Sequence, residues 1–183
     1  MVVANYGDDW AGPPPMISWL SAPRVIDHAR PGDYEMLEDI HARSFVAPWS
    51  ADEQAALNDG PGVRTFVARR GSATSSRRPI GFITVRCAAD EAEILTMAVA
   101  PRQRNAGVGR LLLEAALRHL YAERVREVFL EVDPHNEPAM ALYRHMGFET
   151  VGERRDYYGN GDATRQKALT MRLLMEQPQL TQL

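Results

Sequence analysis

Cysteine is almost missing from this chain. Cys87 is the one thiol, so no internal disulfide can form, and no Cys/His spacing resembles a zinc site. Metal: none is therefore the reading, and a reducing compartment is expected. Long apolar runs are lacking too, since nothing approaches the roughly 18 consecutive apolar residues of a membrane span. The opening "MVVANYGDDWAGPPPMISWL" has acids where a signal peptide needs positive charge and three prolines where it needs an apolar helix. A cytoplasmic protein with no membrane partner is the expectation. Positive charge is not in excess either. Lys and Arg number 21 against 24 Asp and Glu, a formal net charge of -3, which argues against DNA or other general nucleic-acid binding.

What is present fits one domain. The 183 residues, 45% hydrophobic and 25% charged, suffice for one well-buried core and fall short of two. Residues 1–22 read as an irregular N-terminal extension, broken by Gly12 and the prolines at 13–15, and Met16 stays open as the true start. The domain spans 23–175, with a tail at 176–183. "RVIDHA" (24–29) reads as a first strand. "PGDYEMLEDIHARSF" follows as a helix with Asp33 as N-cap and Met36, Leu37, Ile40 and Phe45 on its core face. Ser50 and Glu53 form a capping box for a second short helix.

Three strands follow, at 62–70, 79–89 and 91–99, joined by short connections and hence antiparallel. The polar "GSATSSRR", with Arg77 and Arg78, makes a solvated hairpin tip. Then comes the helix "GVGRLLLEAALRHLYAERV", with Leu112, Ala115, Ala116 and Leu120 in one stripe, and "EVFLEV" (127–132), a strand too apolar for an edge. "NEPAMALYRHMGF" offers Asn136 as N-cap, Pro138 in the first turn and Gly147 as the stop. "ETVGERRDYY" and "QKALTMRLL" close the chain as strands, for an order βααβββαβαββ. His28, His41, His119, His135 and His145 are scattered and read as surface or helix residues. Cys87 reads as a small core residue.

One stretch, "RNAGVGR" (104–110), puts two glycines between a strand and a helix. Such a turn points backbone N–H groups and the positive helix end at one spot, which suits phosphate, and a Cβ at 107 or 109 would hold the ligand away. A P-loop fails, because Arg110 and Leu111 follow Gly109 where Lys and Ser/Thr are needed. A Rossmann fingerprint fails as well, because position 112 is Leu and the preceding strands are antiparallel. Arg-x-x-Gly-x-Gly after an antiparallel meander remains, beside the plain alternative of a glycine-rich connector.

With Arg104, Gly107 and Gly109 in that pattern, residues 23–175 resemble the GCN5-related N-acetyltransferases (GNAT), whose coenzyme-A loop has the form [Gln/Arg]-x-x-Gly-x-[Gly/Ala]. "FVAPWS" (45–50), "FLEVDPHNEPAMALYRHMGF" (129–148) and "RRDYY" (154–158) look most like the bacterial RimI-type enzymes. Those acetylate the α-amino group of an N-terminal alanine on a small-subunit ribosomal protein. The resemblance implies an α/β fold of the α+β type: a central mixed, mostly antiparallel sheet of about seven strands with helices on both faces. It also implies acetyl-CoA as cofactor and a protein or peptide N-terminus as partner.

The resemblance further implies site residues, each with a plainer reading beside it. Arg104, Asn105, Ala106, Gly107, Val108, Gly109 and Arg110 hold the pyrophosphate. The backbone of Met97, Ala98 and Val99 bonds the pantetheine arm and the thioester carbonyl, or is simply a buried strand end. Glu131 is the general base, expected buried, or else half of a structural ion pair with an arginine. Tyr143 protonates the departing thiolate and Asn136 bonds the pantetheine, whereas a tyrosine on an amphipathic helix is otherwise a core residue. Trp49, Tyr157 and Tyr158 wall the acceptor slot or form ordinary lid packing. Gln166 and Lys167 replace an acidic pair usual in the RimI-type pattern, which opens the choice of acceptor. A small-molecule amine acetyltransferase and a non-catalytic acyl-CoA-binding module are the alternatives.

Overall fold

Residues 63–70 and 79–88 are buried at nearly every position, a pattern that places a strand in mid-sheet with both faces covered. The computed structural model describes residues 24–71, 78–155 and 167–176. The N-terminal extension, most of the hairpin tip with Arg77, and Tyr157, Tyr158 and Gln166 lie outside them. The elements run β1 (Arg24–His28), α1 (Tyr34–Ala42), α2 (Ala51–Asn58), β2 (Val63–Arg70), β3 (Pro79–Ala88), β4 (Glu91–Val99), α3 (Val108–Ala122), β5 (Glu127–Val132), α4 (Glu137–His145), β6 (Glu149–Arg155) and β7 (Lys167–Leu174). This is the order read from the sequence.

The seven strands form one sheet in the order β1-β2-β3-β4-β5-β7-β6. Every pairing is antiparallel except β4 with β5, the two strands that α3 connects. On one face α3 and α4 bring Leu112, Leu113, Leu120 and Met140 against Val128 and Leu130. Leu113 joins the stripe read from the sequence, and Ala115 is only half-buried. On the other face α1 sets Tyr34, Leu37 and Ile40 against Val67, Phe82 and Ala98. Leu37, Leu112, Leu113 and Leu120 are fully buried, and each contributes about 1.5–3 kcal/mol relative to exposure.

Two expectations for α1 need correction. Phe45 lies beyond the helix end and is 42% exposed, because the helix stops at Ala42 before its periodicity can carry Phe45 to the core. Asp33 occupies the N-cap position but caps no helix amide. Its carboxylate accepts from the Arg30 N–H at 2.7 Å and pairs with the buried Arg69 guanidinium at 2.6 Å. The Ser50–Glu53 capping box of α2 forms as read.

The parallel pairing is short, and this matters for the site. The β4/β5 ladder runs from Glu91 opposite Glu127 to Ile94 opposite Leu130 and extends no further. At the same point β3 pairs Val85 with Ile94 and Thr84 with Thr96, so Leu95 is an extra residue, a β-bulge. Beyond the bulge, residues 96–99 make no ladder with β5. The bulge also resets the alternation, so that Met97 and Val99 pack with the α3 face while Ala98 packs under α1.

Candidate active site

The loop after β4 is built to expose amides. Asn105 and Gly107 both adopt left-handed backbone, with φ of 57° and 79°, and Gly107 is the N-cap of α3. The first backbone bond of that helix is Leu111 N–H to the Gly107 carbonyl. The amides of residues 108–110 therefore have no acceptor among the described residues, as the geometry of a helix start requires. Three donors at a positive helix end fit a pyrophosphate.

The two glycines differ in their surroundings. A Cβ on Gly107 would meet no protein atom within 4 Å, and its φ of 79° is the backbone angle that favours glycine. A Cβ on Gly109 would sit 3.4 Å from Leu142 and 3.9 Å from Met97 and Val99, in ordinary contact, so the start of α3 lies close against α4 and β4. Arg104 turns inward to the protein: its guanidinium donates to the Val99 carbonyl at 3.1 Å, to Ser44 Oγ at 3.0 Å and to the Arg43 carbonyl at 3.3 Å. Arg24 ties down the Ala106 carbonyl from β1, and Arg110 pairs with Glu114 one turn along the helix.

Glu131 and Tyr143 lie on opposite faces of the sheet where β4 and β5 part. Tyr143 belongs to the core that α3 and α4 make with Leu130 and Val132, is 7% exposed, and packs against Phe148. Its hydroxyl has no hydrogen-bond partner among the described residues, and burial pushes its pKa up to about 12. Alternation turns Glu131 the other way. The expectation of a buried carboxylate is not met: the Glu131 side chain is 38% exposed and its Oε1 accepts from Arg154 at 2.7 Å. Arg154, on β6, meets the charge there. Asn136 caps α4 as read, its Oδ1 accepting from the Ala139 N–H at 3.3 Å, with Pro138 in the first turn and Gly147 at a φ of 89° closing the end.

The segment between α1 and α2 brings Trp49 to the face that Glu131 shares. Trp49 is half-buried and its ring stacks on His41 at 5.2 Å between centroids. His41 is a helix residue as read, but at 3% exposure it is buried, and its place beside Trp49 was not singled out from the sequence. The periodicity of α1 was its one signal, since position 41 follows Leu37 and Ile40 on the buried side. Tyr157 and Tyr158 lie outside the described residues.

Among the described residues, no group of three or more His, Cys, Asp or Glu side chains could hold a metal ion. No helix there is long and apolar enough to cross a membrane. The profile of the acetyltransferase (GNAT) family matches residues 34–148. The chain is 33% identical over 134 residues to the [ribosomal protein bS18]-alanine N-acetyltransferase of Escherichia coli K12, covering 73% of this chain and 86% of that one. It is 29% identical over 147 residues to the Haemophilus influenzae enzyme of the same name, covering 80% and 96%. Among solved structures it is similar to the crystal structure of the Escherichia coli ribosomal-protein-S18-alanine N-acetyltransferase, with a TM-score of 0.72 and 30% identity over 86% of this chain and 99% of that one. Sequence and fold point the same way: the chain belongs to the GNAT family and is an N-acetyltransferase that uses acetyl-CoA.

Proposed function

We propose that this enzyme acetylates the α-amino group of a protein N-terminus, with a ribosomal protein beginning in alanine as acceptor, in the cytoplasm where ribosomes work. One observation carries the reading. Glu131 and the free phenol of Tyr143 stand on opposite faces of the sheet at the place where β4 and β5 separate. A transfer with the amine on one side and the leaving group on the other needs a base and an acid so divided. The names of the relatives from Escherichia coli and Haemophilus influenzae support the choice of acceptor.

Acetyl-CoA supplies a thioester whose carbonyl carbon accepts an amine. The amides of residues 105–110 hold its pyrophosphate at the start of α3. The Arg104 side chain acts through the loop it fastens. The backbone of Met97, Ala98 and Val99 holds the pantetheine arm and donates to the thioester carbonyl oxygen, where negative charge grows during attack. The free amide group of Asn136 adds a bond to the arm. On the α1 face, Glu131 takes the proton that the ammonium must lose, and Trp49 with Tyr157 and Tyr158 confines the first residue of the acceptor. On the opposite face, Tyr143 gives its proton to the thiolate. Its raised pKa keeps that proton in place at neutral pH. Exchange with solvent then returns Glu131 and Tyr143 to their starting states.

An α-amino group, with a reference pKa near 7.7–8.0, gives up its proton more readily than a lysine near 10.4, by roughly 2.5 units. A half-exposed carboxylate already committed to Arg154 suits the easier acceptor. The test is a panel of peptides that begin with Ala, Ser, Gly, Val or Glu, run beside free lysine and a polyamine and read by thiol release. Highest kcat/KM on the Ala, Ser and Gly peptides supports the proposal. A marked preference for either small amine over every peptide overturns it in favour of a small-molecule acetyltransferase, and no turnover with any acceptor leaves an acyl-CoA-binding module.

A further inference from the structure

His41 is the least expected residue near the site. It is 3% exposed at the end of α1, and both ring nitrogens are engaged. Nδ1 accepts the backbone N–H of Trp49 at 3.1 Å, and Nε2 lies 3.2 Å from Thr96 Oγ1. An Nδ1 that accepts fixes the neutral tautomer with the proton on Nε2, which then donates to the threonine. The ring is also sandwiched, with Phe45 stacked at 4.3 Å on it and Trp49 at 5.2 Å, while Phe82 closes in at 6.0 Å. Thr96 sits beside the Leu95 bulge, immediately before the backbone of residues 97–99. One imidazole thus joins the segment that carries Trp49 to the strand that turns toward the thioester.

We infer that His41 is a positioning residue for the acceptor: its neutral ring holds Trp49 and the 45–49 segment at a fixed distance from the end of β4. The inference rests on the acceptor side of the proposed function. Protonation would put a hydrogen on Nδ1, facing the Trp49 N–H, and two donors cannot bond. The contacts of the ring, Phe45, Trp49, Phe82 and Thr96, carry no charge to favour the imidazolium. Of the charged side chains on the neighbouring segments, Glu35 and Asp52 are exposed to solvent and the others are committed elsewhere. Glu38 accepts from the Ala51 amide, Asp39 pairs with Arg43, Glu53 caps α2 and Arg104 bonds Ser44 and two carbonyls. Burial alone therefore acts on the ring, and it lowers the pKa.

The experiment uses two variants and two readouts. His41→Leu removes both hydrogen bonds, and acceptor KM should rise on the order of tenfold, the scale of one lost hydrogen bond, with kcat and acetyl-CoA KM changing less. His41→Asn keeps an acceptor near the Nδ1 position without a titrating ring, so it should recover most of that loss and remove the acid limb of kcat/KM that belongs to histidine. The second readout needs no acceptor. In a Trp10→Phe/Trp19→Phe background, Trp49 is the one remaining tryptophan. Its emission should fall in a single transition below the usual histidine range, absent from His41→Asn. If emission is indifferent to pH, or if His41→Leu raises both KM values alike, the positioning role is wrong. Should peptides fail as acceptors while a small amine serves, the same KM comparison is made with that amine, so the two proposals fail separately.

Discussion

In the proposed transfer a single hydroxyl, that of Tyr143, and a single carboxylate, that of Glu131, divide the proton transfers. Tyr143→Phe deletes the proton donor and leaves the ring packed on Phe148, so kcat should drop about 10²–10⁴-fold while calorimetry finds acetyl-CoA affinity almost unchanged. Because burial raises this phenol to about 12, any alkaline decline of activity below pH 10 must come from another group. Glu131→Gln should cost most at low pH, where the acceptor arrives protonated, and equal pH profiles for variant and wild type would remove the base role. Neither part was equally plain in the sequence. The "NEPAMALYRHMGF" pattern located Tyr143 and its cap, because capping and helical spacing are local. The partner of Glu131 is 23 residues away on β6, and only the folded sheet brings Arg154 to it. His41 was hidden for the same reason, since its contacts with Thr96 and Trp49 depend on how α1 lies across β4.

At the scale of elements, the loop before α3 and the turn before α1 each hang on one backbone or side-chain choice. Gly107→Ala forces a left-handed angle on a residue with a Cβ, which costs about 1–2 kcal/mol. It should lower Tm by several degrees and weaken acetyl-CoA. Gly109→Val acts differently, adding bulk against Leu142 and Met97 beside the free amides, so acetyl-CoA affinity should fall further with less loss of Tm. Equal affinity of that variant and wild type would show that acetyl-CoA does not bind at the start of α3. The Asp33–Arg69 pair closes the turn before α1 onto β2. Burial opposes ionisation there, yet the Arg69 and Arg30 hydrogen bonds and both guanidinium charges together hold Asp33 below the usual carboxylate range. A lowered folded pKa gives stability that is complete above about 3.9 and is lost as pH falls through the folded value. Asp33→Asn should cost about 3–5 kcal/mol at neutral pH and flatten the acid limb of a Tm-against-pH curve. The sequence showed Asp33 before a helix and suggested a cap. A buried arginine 36 residues later took the carboxylate instead.

For the whole molecule, the element order and the antiparallel meander could be read in advance, because strand and helix periodicities and short connections determine them. The position of β7 between β5 and β6 could not, since no local signal says which strand a returning segment will choose. The bulge at Leu95 was equally invisible, yet it lies where the β4/β5 ladder stops. A sheet is a zipper, and this one stops at a single surplus tooth. Removing Leu95 would leave Ile94 and Thr96 adjacent, with every other β4 side chain still on its present face, and nothing would then stop β4 from closing on β5 as far as Val132. The expected product is a chain with a higher Tm that no longer binds acetyl-CoA: a sounder sheet and no longer an enzyme. If that deletion variant still bound acetyl-CoA in calorimetry, the parting of β4 from β5 would have another origin. The proposed catalysis depends on a fastening that the backbone, left to its own hydrogen bonds, would complete.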